Sequence, residues 1–391
     1  MNNTPSSERL HIGFFGMRNA GKSSLVNAVT GQDLALVSDI KGTTTDPVKK
    51  AMELLPLGPV VIIDTPGLDD EGALGQMRVK RAKEILDTVH IAVLVVDATK
   101  GMTDEDKLLA AEIEIRKLPF IIAMNKSDLL GGVPENDNNK IYVSAEKNIG
   151  INTLKEKIAS LSGKAKSEKK ILADLVGKGD IILLVTPIDE SAPKGRLILP
   201  QQQTIRELLE IGCVTLVVQV EEIALTLASL KTAPKLVITD SQAFGEVAKL
   251  LPRNIKLTSF SILFARYKGD LDTVVQGADK LSELKDGDRI LISEGCTHHR
   301  QCKDIGTVKL PEWIRKFSGK NLEFTFTSGG EFPYELAEYS LVVHCGGCTL
   351  NEKEMKSRLN RCVEQSVAVT NYGTAIAEMN GILRRSLEVF E

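Results

Sequence analysis

With 391 residues, 42% hydrophobic and 26% charged, the chain is long enough for two or three cores and has ordinary folded-protein composition. A formal charge of −3 gives no global attraction to nucleic acid or anionic lipid, and the longest apolar runs, such as Ile91 to Val96, are strand-sized rather than membrane-spanning. Six cysteines are too few for a disulfide scaffold, and the polar stretch Met1 to Arg9 has no secretory apolar core, so a reducing, cytoplasmic setting is expected.

Strand-like runs at Leu10 to Phe15, Val60 to Ile63, Ile91 to Val96, Phe120 to Met124 and Ile141 to Val143 alternate with helical patterns. That rhythm predicts an α/β unit with a mainly parallel sheet. Its last helix should run from Thr153 to Leu161, and the polar SGKAKSEKK stretch, Ser162 to Lys170, reads as a linker. The first domain is therefore expected over 1–165.

A second alternation follows, with strands at Ile181 to Val185, Val214 to Val220 and Lys235 to Ile238, and helices at Gln202 to Ile211, Glu221 to Lys231 and Ser241 to Leu251. A third has strands at Arg289 to Ser293, Leu322 to Phe326 and Ser340 to His344, and helices at Thr273 to Leu284, Pro311 to Phe317, Glu352 to Cys362 and Thr374 to Val389. These are expected as two smaller α/β domains with mainly parallel sheets, over 166–265 and 266–391.

Between the first strand and the first helix stands Gly16-Met17-Arg18-Asn19-Ala20-Gly21-Lys22-Ser23, a G-x-x-x-x-G-K-[ST] loop followed by Ser24. Its backbone N–H groups, Ala20 and Gly21 included, can wrap phosphates at a helix N-terminus; Lys22 can reach the β and γ phosphates, and Ser23 can ligate Mg²⁺. Asp64-Thr65-Pro66-Gly67 ends a buried strand, where Asp64 can hold Mg²⁺ through water and the Gly67 N–H can touch the γ phosphate. Asn125-Lys126-Ser127-Asp128 ends another. A carboxylate at Asp128 can accept from the N1–H and 2-amino group of guanine, an edge adenine lacks. Ser144-Ala145-Glu146 can add a backbone N–H for the guanine carbonyl, and Thr44, within Gly42-Thr43-Thr44-Thr45-Asp46, can close on Mg²⁺. Together, in their order along the chain, these elements predict a P-loop domain that binds and hydrolyses GTP with Mg²⁺.

This part resembles the translation-factor-related GTPases that include tRNA-modifying and ribosome-assembly members. Leu68 follows Gly67 where Ras-like proteins carry the water-positioning glutamine, so another charge must assist. Asn19 matches the loop asparagine of cation-dependent relatives, which implies K⁺ beside the phosphates and slow, K⁺-stimulated turnover.

Cys296-Thr297-His298 and His344-Cys345-Gly346-Gly347-Cys348 both follow predicted strands of the third set. Carboxyl ends of strands are where ligand crevices form in open α/β sheets, so the two segments can converge on one metal centre. His299 and Cys302 compete as neighbours, whereas Cys213 and Cys362 sit within apolar patterns as core residues. Thiolates with an imidazole suit zinc or an iron–sulfur cluster equally.

A GTPase domain followed by C-x-H and then H-C-x-x-C resembles the HydF family of FeFe-hydrogenase maturation GTPases, over the whole chain. The resemblance implies a 4Fe-4S cluster on Cys296, Cys345 and Cys348, with His298 or His344 as candidates for a labile fourth position. It also implies a homodimer formed through 166–265, a scaffold or carrier role for a diiron precursor, and two radical SAM maturases and the apo FeFe-hydrogenase as partners. The alternative is a ribosome- or tRNA-directed K⁺-dependent GTPase with an appended zinc module. That reading calls for a basic face, which the rear half lacks, so neither nucleic acid nor a membrane is expected as a partner.

Overall fold

The computed structural model describes residues 4–32, 47–67, 81–137, 139–165, 169–188, 197–296 and 304–391. They form two compact units, Met1–Glu168 and Lys169–Glu391.

The first unit is built on β1 (Leu10–Phe15), β2 (Val48–Leu54), β3 (Gly58–Asp64), β4 (Ile91–Asp97), β5 (Phe120–Asn125) and β6 (Lys140–Tyr142), in the sheet order β2-β3-β1-β4-β5-β6. All pairings are parallel except β2 on β3. The central strands are continuous apolar runs because both their faces are covered. Along β3, Val60 and Ile62 enter the core on one face, while Val61 and Ile63 enter the other. The edge strand β2 escapes the sequence reading for a physical reason. Most of its residues are exposed and two are lysines, so it shows no apolar alternation, as an edge that resists further pairing should. The closing helix is longer than its apolar pattern suggests, running Ile151–Ala165 into the stretch read as a linker.

The second unit holds two four-stranded parallel sheets. One comprises β7 (Ile181–Val185), β8 (Val214–Val218), β9 (Leu236–Thr239) and β10 (Lys256–Ser259); the other comprises β11 (Arg289–Glu294), β12 (Glu323–Ser328), β13 (Leu341–His344) and β14 (Ala368–Asn371). Their orders, β10-β9-β7-β8 and β12-β11-β13-β14, follow the same rule: the first strand lies between the second and the third. A crevice for ligands is expected where the winding reverses, between the first and third strands. In the second sheet those strands are β11 and β13, which lead into Cys296 and Cys345. β10 and β14, with sequences KLTS and AVTN, hold too few large apolar residues to form an apolar run, and were not predicted, whereas the equally short β9 (LVIT) and β13 (LVVH) were.

The helix expected from Thr374 to Val389 is two helices, Tyr372–Met379 and Leu383–Leu387, broken at Asn380 and the left-handed Gly381. The break returns the chain to the first of these sheets. Leu383 packs with Val237 and Leu257, and buried Arg385 donates to the carbonyl oxygens of Ala248 and Pro252, both at 2.9 Å.

Candidate functional site

The loop between β1 and the helix Lys22–Thr30 is fixed by contacts few residues other than glycine permit. At Gly16, with φ +145°, a Cβ would stand 2.1 Å from the Val95 carbonyl oxygen. Asn19 is left-handed at φ 63°, a conformation asparagine tolerates. Lys22 is buried, and its Nζ donates to the carbonyl oxygens of Gly16 (3.0 Å) and Met17 (2.8 Å). Ala20 is buried and Ser24 half-buried.

The end of β3 meets this loop. Ser23 Oγ donates to Asp64 Oδ2 at 2.7 Å, and the Thr65 hydroxyl donates to the Phe14 carbonyl at 2.7 Å, which ties the two strand ends together. Asp64 is 8% exposed, and its Oδ1 is buried with no hydrogen-bond partner among the described residues. Burial holds its carboxyl above the ordinary range, against the opposing pull of the Ser23 bond and the Lys22 charge. Gly67 passes so near the loop that a Cβ would lie 2.9 Å from Arg18 Cα.

Asn125 joins three segments. Its Nδ2 donates to the Ala20 carbonyl at 3.0 Å, and its Oδ1 accepts the Ala145 N–H at 3.1 Å. Lys126, left-handed at φ 64°, reaches Asp97 Oδ2 at 2.6 Å. Burial works against the Asp97 charge, but the Lys126 and Thr99 bonds outweigh it and hold the carboxyl low. Asp128 lies half-buried on the turn Ser127–Leu129, and Ser144 is buried with its Oγ accepting from Lys147 N. Ser23, Asp64, Asn125 and Ala145 are thus brought together around the loop at residues 16–23. Thr44 and its neighbours 42–46, and Leu68, lie outside the described residues.

In the second unit, β11 and β13 are adjacent, with Ser293 opposite His344. Gly295 N–H donates to Cys345 Sγ at 3.1 Å, Gly347 N–H to the same sulfur at 3.4 Å, and the Thr349 hydroxyl to the Gly295 carbonyl at 2.8 Å. The segment carrying Cys296 is therefore laced to the loop carrying Cys345 and Cys348. Burial pushes the Cys345 thiol up to about 12; neighbouring Cys296 and Cys348 add to the shift and the two N–H donors oppose it. Burial raises Cys348 as well, with the Lys268 charge pulling against it. Among the described residues no three His, Cys, Asp or Glu side chains are gathered closely enough to hold a metal ion. His298, His299 and Cys302 lie outside the described residues.

His344 is 1% exposed with both ring nitrogens engaged. Arg358 Nη1 donates to Nε2 at 3.1 Å, so the ring proton sits on Nδ1, which donates to the Cys345 carbonyl at 2.8 Å. Burial, then the Arg358 charge, lowers this imidazole to about 3, so it is neutral. Cys213 and Cys362 are buried in apolar clusters.

Three groups around the cysteine loop gave no sequence signal. They are Lys268, which donates to loop carbonyls, Arg358 behind His344, and the buried pair Tyr372–Glu294, with the hydroxyl donating at 3.2 Å. Burial, then Glu294, pushes the Tyr372 hydroxyl well above its ordinary value. Each is remote in sequence from the motif it serves, and only the helical spacing of Arg358 from Glu354 hinted at a pairing.

Three family descriptions match the chain: "50S ribosome-binding GTPase" over residues 11–126, "Hydrogen maturase F dimerization domain" over 171–269, and "Hydrogen maturase F tetramerization domain" over 272–389. The tRNA modification GTPase MnmE of Nitrosospira multiformis is 33% identical over 163 residues, 40% of this chain and 36% of the relative. The GTPase Der of Kosmotoga olearia is 38% identical over 128 residues, 32% of this chain and 29% of that protein. The chain thus spans about a third of the length of these relatives. The crystal structure of Aquifex aeolicus Era aligns with 81% of this chain and 93% of its own, at 17% identity and a TM-score of 0.36.

Fold and site together define a P-loop GTPase whose rear unit carries two self-association modules. The chain is a HydF-like GTPase. Among its described residues no helix is long and apolar enough to cross a membrane.

Proposed function

We propose that this chain is a cytoplasmic GTPase scaffold that receives, holds and delivers the diiron precursor of the FeFe-hydrogenase active site. GTP and Mg²⁺ occupy the loop of residues 16–23. Lys22 draws charge from the transferred phosphoryl group, Ser23 and Asp64 hold Mg²⁺ with Thr44 closing over it, and Asn125, Lys126, Asp128, Ser144 and Ala145 form the base site. The orphaned Asp64 Oδ1 beside Ser23 is where a cation would be received. Asn19 holds K⁺, and turnover is slow without it.

The observation that carries the cluster reading is the Gly295 N–H on Cys345 Sγ, between strand ends that topology makes neighbours. By residue type the donors suit an iron–sulfur cluster: three thiols on Cys296, Cys345 and Cys348, with two N–H groups aimed at the Cys345 sulfur, a contact that tunes such clusters. Loading would draw the three sulfurs closer than they stand here. A 4Fe-4S cluster there would supply an iron with an exchangeable position for cargo. His298 is the candidate for that position. His344, its nitrogens already engaged, serves by fixing the backbone at Cys345. The radical SAM maturases and the apo-hydrogenase are the expected partners of a homodimer formed through 166–265.

Anaerobic reconstitution with iron and sulfide, read by visible absorption and paramagnetic resonance, tests this. Broad absorption near the thiolate-to-iron region and a reducible cluster are expected. A colourless protein that binds only zinc overturns the reading and favours the tRNA- or ribosome-directed alternative. Turnover in KCl should exceed that in NaCl, and equal rates would remove K⁺.

A further inference from the structure

Lys268 ends the helix Phe260–Lys268 and is 3% exposed. Its Nζ donates to the carbonyl oxygens of Cys348 and Leu350, both at 2.9 Å, and more weakly to that of Gly347 at 3.4 Å. Carbonyl oxygens only accept and a lysine ammonium only donates, so the loop backbone and the side chain are complementary. The Phe264 ring, 5.7 Å away, offers a π face to the same charge. This cation lies behind the loop Cys345-Gly346-Gly347-Cys348 and binds its backbone. In sequence it falls within the matched dimerization module, residues 171–269, while the loop it holds belongs to the module over 272–389.

We propose that Lys268 is a positioning residue for the cysteine loop, fixing its backbone and supplying a buried positive charge that favours the reduced state of a cluster held there. The inference rests on the reading that these cysteines carry an iron–sulfur cluster. Each thiolate ligand brings negative charge, and adding an electron brings more. In a region of low dielectric that increment is felt strongly by a fixed cation nearby. Bonds to backbone alone would hold the loop's shape; the charge adds a bias on the electron, and the two effects can be told apart.

The test uses the full chain, reconstituted anaerobically and titrated with dithionite as the one-electron donor, with the reduced cluster followed by paramagnetic resonance. Lys268→Met removes charge and donors at similar length. Lys268→Gln keeps an N–H donor and removes the charge, and it carries the test should the Met variant fail to fold by circular dichroism. At the wild-type midpoint potential the reduced-to-oxidised ratio should fall about tenfold in either neutral variant, a shift of about 59 mV for one electron. Iron release to a chelator should also accelerate. Thr349→Val, which loosens the loop by deleting the bond to Gly295 without touching charge, should speed release and leave the potential in place. Neutral variants that load iron and keep the wild-type potential overturn the inference. A wild-type chain that takes up no iron and sulfide instead overturns the cluster reading on which it stands.

Discussion

Lys22 and Lys268 are both buried lysines whose Nζ is held by carbonyl oxygens of a loop, and they differ in where that loop comes from. Lys22 binds Gly16 and Met17, a few residues upstream in its own motif. Lys268 binds Gly347, Cys348 and Leu350, which follow some eighty residues later on another sheet. The first arrangement is a contiguous turn whose spacing is its own signature. The second is assembled by tertiary folding, so its ligands can be read as residue types while the residue that holds them cannot. In the first unit the pieces that complete the site, Asp64 and Asn125, also stand at strand ends. There, however, each belongs to a short motif of its own.

The sharpest way to test this contrast is to remove one anchor and ask whether the other site notices. Lys22→Ala should lower kcat for GTP by about 100- to 1000-fold, the usual loss when a charge aimed at the transition state is deleted. Iron content should stay at the wild-type level, with phosphate release and iron analysis as the measurements; a variant at half the wild-type rate would refute the role given to Lys22. Asp128→Ala should raise KM for GTP by about 100-fold, since it deletes two charge-assisted hydrogen bonds to the base. Unchanged selectivity for GTP over ATP would count against that contact. Cys345→Ser should do the converse of Lys22→Ala, losing most of the iron while phosphate release continues. Parallel loss of both properties would show that the two sites are not separable.

The smallest expected effect concerns Asp64. Its folded-state pKa is raised, burial being the main cause, so the protonated acid is the form the fold favours. A raised pKa contributes stability at low pH that is lost as the pH rises through the folded-state value. Asp64→Asn should therefore raise the melting temperature of the nucleotide-free protein at neutral pH, with the advantage vanishing as the pH falls and the wild-type carboxyl protonates. The same variant should lose Mg²⁺-dependent turnover. Scanning calorimetry across pH decides it, and a variant that melts lower than wild type at neutral pH would contradict the assignment.

Much of this architecture was legible because burial on both faces writes long apolar runs into β1, β3, β4 and β5, and because the phosphate loop is a fixed spacing. The rear strands β7, β9, β11 and β13 announced themselves in the same way. What failed to show has a physical reason in each case. β2 carries lysines on an exposed edge, and β10 and β14 are short strands diluted by polar residues, KLTS and AVTN. The turn at Asn380 and Gly381 interrupts a stretch that is apolar on both sides. His344 reads as a metal ligand from its place beside Cys345, yet its environment is set by Arg358 on a different helix, which spacing along the chain does not reveal.

The segment Leu383–Phe390 packs beneath the sheet of β7 to β10, with Leu383, Leu387 and Phe390 filling its flank and Arg385 clamped on the carbonyls around Pro252. Its consequence is one of timing. On the ribosome the strands of that sheet emerge long before this segment, so an oily flank waits unsealed through the making of every cysteine from 296 to 362. The sheet's flank closes only once this segment has been made, so the rear unit, Lys169–Glu391, reaches its packed form as one body.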